Sequence, residues 1–176
     1  MIKENGFTLI EMLITIVILG IVLAIAAPSL SQYIAIHRVK GFAENFAQDL
    51  ILARTEAIRS NNPVQLDVRS SCYGMISGST SCNCTISDDS NSSYCSLKQV
   101  STPTGITLSK TGFNTIIFDP VRGLPVSSSY GTLSSIQILS IENSAAKAAV
   151  NLNVIGSVCI NSPSGTQKVA GYPDAC

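Results

Sequence analysis

Charge and histidine are scarce in this chain. Only 12% of its 176 residues are charged, and eleven Lys and Arg offset eleven Asp and Glu. A formally neutral chain has no electrostatic footprint for nucleic acid and no acidic tail. Aromatic residues make up 6%, and no basic run is interleaved with them as a stacking groove for single strands would require. The one histidine is His37. No Ser-His-Asp set, metal-ligand spacing or phosphate-cradling glycine loop accompanies it. These absences argue against an enzyme, against a cofactor and against a dedicated nucleic-acid binder.

What the chain has in abundance is an apolar run near its start. Phe7 to Pro28 spans 22 residues, roughly 33 Å as a helix against a bilayer core of about 30 Å. One carboxylate, Glu11, stands inside it. At that depth a charge costs roughly 2.5–3.5 kcal/mol and needs a partner, unless the side chain snorkels to the headgroups. A secretory signal peptide is one reading, since Ala24-Ile25-Ala26 offers a cleavage pattern. Against it, the run is too long and Lys3 is offset by Glu4. A plain membrane anchor is another reading. It leaves Glu11 unexplained and fits poorly with His37, Arg38 and Lys40 following the run where Lys3 alone precedes it.

Beyond Pro28 the helical pattern continues. Val39, Phe42, Ala43, Phe46, Leu50, Ala53 and Ala57 recur at spacings of three and four, one apolar stripe. Pro28 is expected to bend the helix without ending it. Ser60-Asn61-Asn62-Pro63 is the expected stop, because asparagine tolerates a left-handed cap and proline cannot continue the helix. The pattern then turns to β: Val64, Leu66 and Val68 alternate, as do Val150, Leu152 and Val154. Shorter apolar runs stand at 105–108, 113–118, 135–141 and 157–160. One long helix followed by short strands predicts an α+β fold, with an antiparallel sheet covering the stripe.

All six cysteines, Cys72, Cys82, Cys84, Cys95, Cys159 and Cys176, follow the apolar run. An even count behind a membrane-targeting start points to disulfides in an oxidising compartment. Residues 70–101 are rich in serine, asparagine and glycine and hold four of the six. They read as a surface loop too polar for a core of its own, held by covalent links. Cys82 and Cys84 are too close to bridge each other, so Cys72 takes one and Cys95 the other. Cys159 and Cys176 are left to close the C-terminus. A zinc site on the same thiolates would lack the usual knuckle spacing.

Gly6-Phe7-Thr8-Leu9-Ile10-Glu11 resembles the processing signal of type IV pilins and type II secretion pseudopilins. The resemblance implies a type IV pilin fold, with a long N-terminal helix that is transmembrane in its first half. It also implies cleavage by a prepilin peptidase between Gly6 and Phe7 and methylation of the new amine of Phe7. Glu11 would neutralise that amine on a neighbouring subunit during assembly, so that two costly charges become tolerable as a pair. Two further stretches narrow the group. Leu52-Ala53-Arg54-Thr55-Glu56-Ala57-Ile58-Arg59 before Asn62-Pro63-Val64, and Phe118-Asp119-Pro120 with Gly123, are similar to the GspH/FimT group of minor pilins, its FimU-like pilus members included.

The expected organisation is a leader at 1–6, a transmembrane half-helix at 7–29 and an amphipathic half at 30–62. A β-rich periplasmic domain follows at 63–176, with the cysteine-rich loop at 70–101. The resemblance implies a low-abundance subunit that primes assembly and forms part of the filament tip. Its partners would be other major and minor pilins or pseudopilins, the prepilin peptidase, and inner-membrane lipid before assembly. A type II secretion pseudopilin is the alternative. Some FimT members bind DNA through a G-R-x-R motif; here the aligned place is Ser164-Gly165-Thr166-Gln167-Lys168, which leaves Lys168 as the only cation. DNA is therefore not an expected partner.

Overall fold

The structure, a computed structural model, describes residues 7–78, 80–112, 115–127, 131, 137–165 and 168–176. Helix α1 (Leu9–Ser60) runs unbroken for 52 residues, about 78 Å at 1.5 Å per residue. Thr8 caps its start, the hydroxyl accepting from the Glu11 N–H at 3.3 Å. Pro28 lies inside the helix and does not end it. The stop falls where the sequence places it: Asn61 adopts φ 50 in the left-handed region, and its N–H bonds the Ile58 carbonyl.

Nine strands follow: β1 (Val64–Val68), β2 (Cys72–Ser77), β3 (Lys98–Ser101), β4 (Thr107–Thr111), β5 (Thr115–Phe118), β6 (Pro125–Val126), β7 (Gln137–Glu142), β8 (Lys147–Leu152) and β9 (Val158–Asn161). They form two antiparallel sheets where the sequence suggested one. The first has the order β3-β2-β1-β5-β6 and the second β4-β7-β8-β9. Both pack on the C-terminal half of α1, which touches β1 and β5 of the first sheet and β7, β8 and β9 of the second. Every member of the expected stripe, from Val39 to Ala57, is buried in that one core. Full burial of a side chain the size of Phe46 or Leu50 stabilises the fold by about 1.5–3 kcal/mol.

The reading of 70–101 as one surface loop is corrected. β2 is an interior strand, with Tyr73 and Met75 almost fully buried, and β3 closes the other end of the stretch. The true excursion is the segment between β2 and β3. Composition misled because Tyr73, Met75 and Ile76 are diluted by serine and glycine. The alternation in β1 is also incomplete as a guide to burial, since all five of its residues are buried. Val64, Leu66 and Val68 join the main core, while Gln65 and Asp67 lie beneath the excursion. There Cys72, Ile76, Cys82, Cys84 and Cys95 form a second, smaller cluster.

One buried contact ties helix to sheet. Asp49 sits in the apolar stripe at 4% exposure. Its carboxylate accepts from the Tyr73 hydroxyl at 2.6 Å and from Lys98 Nζ at 2.6 Å. Phe42 and Phe46 meet the Tyr73 ring edge-on, at 5.7 and 4.9 Å between centroids. Burial first, and then the bond to Asp49, push the Tyr73 phenol well above its ordinary value of 10.

Because the folded chain keeps a proton that the unfolded chain releases, this contribution is complete below about pH 10 and is lost above it. Stability of the detergent-solubilised chain, followed by urea unfolding, should fall there by about 1.4 kcal/mol per pH unit from this group. Tyr73→Phe should remove that part of the alkaline slope. It should also cost about 1.5–3 kcal/mol at neutral pH, the range for a hydrogen bond to a charged group.

Candidate functional site

The site divides between the two ends of α1. At the start, Phe7 is 79% exposed, and among the described residues the apolar half of the helix from Leu9 onward is nowhere buried against the β domain beyond it. The helix is long and apolar enough to cross a membrane. Glu11 lies in its first turn, where the helix dipole favours a carboxylate. It is exposed and, among the described residues, has no ion-pair partner. Gly6, the residue before the expected cleavage point, lies outside the described residues. At Pro28 the missing N–H frees a carbonyl one turn back. Ser31 bonds the carbonyl of Pro28 itself at 2.9 Å. His37 stands beside Tyr33, ring centroids 4.2 Å apart.

At the far end, the two stretches that narrowed the group come together. Asp119 shapes the turn between β5 and β6, accepting from the Arg122 backbone N–H at 3.2 Å and the Arg122 Nε at 3.1 Å. Gly123 closes that turn at φ +61 directly against the helix; a Cβ there would lie 2.6 Å from Ile58 Cδ1 and 3.1 Å from Arg54 Nε. Arg54 reaches on to the turn between β8 and β9, donating to the Gly156 carbonyl at 3.4 Å. Glu56 and Arg59 form a solvent-facing pair at 2.8 Å. Arg54 and Gly123 are thus joined by packing. Glu56 and Arg59 keep only the helix-face role that charge spacing alone suggests.

All six cysteines are paired as Cys72–Cys84, Cys82–Cys95 and Cys159–Cys176. This resolves the choice left open between Cys82 and Cys84. The chain-entropy view assigns about 3 kcal/mol to each loop of this size. The C-terminal segment is also held by Asn161, whose side-chain amide donates to the Asp174 carbonyl at 2.9 Å. Tyr172 donates to Glu44 on α1 at 2.8 Å and lies under Lys40 Nζ, 5.5 Å from the ring centre. Lys168 is ion-paired with Asp174 at 2.6 Å. Its neighbours Thr166 and Gln167 lie outside the described residues.

Sequence reasoning missed Asp49. The signal was there: a single carboxylate three residues after Phe46 and four before Ala53, on the buried face of the stripe.

No curated protein matches the chain. The prokaryotic N-terminal methylation motif matches residues 1–27. Among solved structures, the type IV minor pilin FimU of Pseudomonas aeruginosa is similar with a TM-score of 0.51 at 10% identity, over 77% of this chain and 95% of that one. The minor pseudopilin EpsH from the type 2 secretion system of Vibrio cholerae gives a TM-score of 0.44 at 18% identity, over 73% and 99%. The FimU likeness is one of fold. The family model described as type II transport protein GspH matches residues 43–156, well over half of the chain. The chain therefore belongs to the GspH family of minor pilins and pseudopilins.

Proposed function

We propose that this chain is a minor pilin of a type IV pilus, which helps to prime assembly and forms part of the filament tip. The observation that carries the reading is the division of α1: a buried C-terminal half under the β domain, and an apolar N-terminal half that among the described residues is nowhere buried against that domain, bearing one carboxylate at Glu11. A helix face of this length that the chain leaves uncovered is suited to lipid before assembly and to neighbouring helices after it. Glu11 is the group that would select and register those neighbours, through the methylated amine left at Phe7 by a prepilin peptidase. The domain would stand outside the cytoplasm, where its three disulfides persist.

The pseudopilus of type II secretion is the second reading, favoured by the description of the matching family as a type II transport protein. For the pilus stand the cysteine-rich excursion and the Cys159–Cys176 staple, the features that resemble the pilus members of the group. Deleting the gene in its own organism separates the two. Loss of surface filaments with secretion intact supports the pilus; lost secretion with filaments intact assigns the pseudopilus.

Three measurements test the residues. Intact mass of the membrane-extracted chain should show loss of Met1–Gly6 and gain of one methyl group; an N-terminus at Ala27 would restore the signal-peptide reading. Glu11→Ala should leave processing and membrane insertion unchanged but lower co-purification with the other pilins severalfold. Wild-type recovery would remove Glu11 from assembly. DNA binding by the full chain in detergent should be weak at physiological salt and unaltered by Lys168→Ala, because Asp174 already neutralises that cation. Salt-sensitive micromolar binding that the substitution abolishes would make the chain a DNA receptor.

A further inference from the structure

The excursion between β2 and β3 carries two interleaved bridges, the first cysteine with the third and the second with the fourth. We propose that the chain cannot reach this pairing dependably by oxidation alone, and that it is a substrate for a thiol-bearing disulfide isomerase before it enters a filament. The competitor is the consecutive pairing, Cys72–Cys82 with Cys84–Cys95. Each of its loops is only two residues shorter than the native separations of 12 and 13. Loop-closure entropy then favours the wrong pairing by less than about twofold, so the unfolded chain forms both.

Discrimination comes from the folded ladder. Asp67 on β1 and Gly74 on β2 face each other across it. Asp67 accepts from the Cys84 backbone N–H at 3.3 Å, which holds Cys84 near Cys72. Gly74 provides the seat for Cys95; a Cβ there would lie 2.5 Å from the Cys95 Sγ. Both selectors exist only once β1 and β2 have paired, whereas oxidation can precede that pairing. A consecutive bridge formed early is therefore trapped until a thiol reopens it.

The rearrangement is redox-neutral and its balance is simple. An external thiolate attacks Cys82 Sγ of the Cys72–Cys82 bridge, forming a mixed disulfide and releasing the Cys72 thiolate. Cys72 attacks Cys84 Sγ of the Cys84–Cys95 bridge, forming Cys72–Cys84 and releasing the Cys95 thiolate. Cys95 attacks Cys82 Sγ of the mixed disulfide, completing Cys82–Cys95 and expelling the original thiolate. The isomerase acts as a catalyst and is recovered unchanged.

The test uses the full chain, reduced and denatured, then transferred to detergent and oxidised with diamide, which leaves no thiol behind. Samples are alkylated and the bridges mapped by proteolysis and mass spectrometry. Comparable amounts of native and consecutive pairing are expected, and reduced glutathione added afterwards should lower the consecutive form at least tenfold. Native pairing above about nine-tenths without any thiol would overturn the proposal, as would a consecutive form that added thiol leaves unchanged. Gly74→Ala should keep the consecutive form in the majority even with glutathione, while Cys159–Cys176 forms as in the parent and reports folding of the rest. Undiminished native pairing in that variant would remove Gly74 as the selector.

Discussion

The domain is organised around a carboxylate in an apolar stripe. Asp49 would be costly where it lies were it not met by the Tyr73 hydroxyl and Lys98. Those two partners sit on adjacent strands, β2 and β3, so one helical residue locates the edge of the first sheet against the helix. The Tyr73 ring is at the same time held edge-on by Phe42 and Phe46. Apolar packing fills the space between helix and sheet, but greasy surfaces tolerate sliding. A buried, fully partnered charge does not, since any shift leaves it unpaired. The excursion between β2 and β3 starts and ends on the strands that Asp49 positions.

Burial on both faces of β1 explains how so small a domain builds a second layer over its first sheet. The covering segment is rich in serine and asparagine, and the residues it buries are Cys82, Cys84 and Cys95. Sulfur bridges act there as both the small hydrophobic cluster and the links that hold it. The C-terminal segment uses the same device more sparingly, adding Asn161 and Tyr172 as polar ties to the sheet and the helix.

Much of this was legible in the sequence where periodicity is strong. The stripe from Val39 to Ala57, the Asn61 cap, and strands near 64–68, 115–118, 137–142 and 158–161 all follow from local pattern and turn chemistry. The alternation at Val150, Leu152 and Val154 finds β8, but Val154 itself lies in the turn that follows it. β2 did not, because its apolar residues are surrounded by a composition typical of loops, and its burial depends on partners brought by β1 and β3. The Asp49–Tyr73 contact links residues 24 apart and has no local signature. The paired role of Arg54 and Gly123 was visible only as a resemblance. The structure supplies its physical reason, a left-handed backbone at Gly123 with the Ile58 and Arg54 side chains packed directly against it.

Between the apolar half of α1 and the domain there is no linker. Residues 29–38 are ordinary helix, so the azimuth of the domain about the helix axis is tied to that of Glu11 by a residue count. An α-helix turns about 100° and rises about 1.5 Å per residue. A single residue gained or lost between 29 and 32 would swing the whole domain by more than a quarter turn relative to the carboxylate, while leaving the packing of Ile36 on the core and the Asn143–Ala35 bond in place. The length of the segment is therefore a phase angle as well as a distance, and it is as much a part of the molecule's outward geometry as any side chain on its surface.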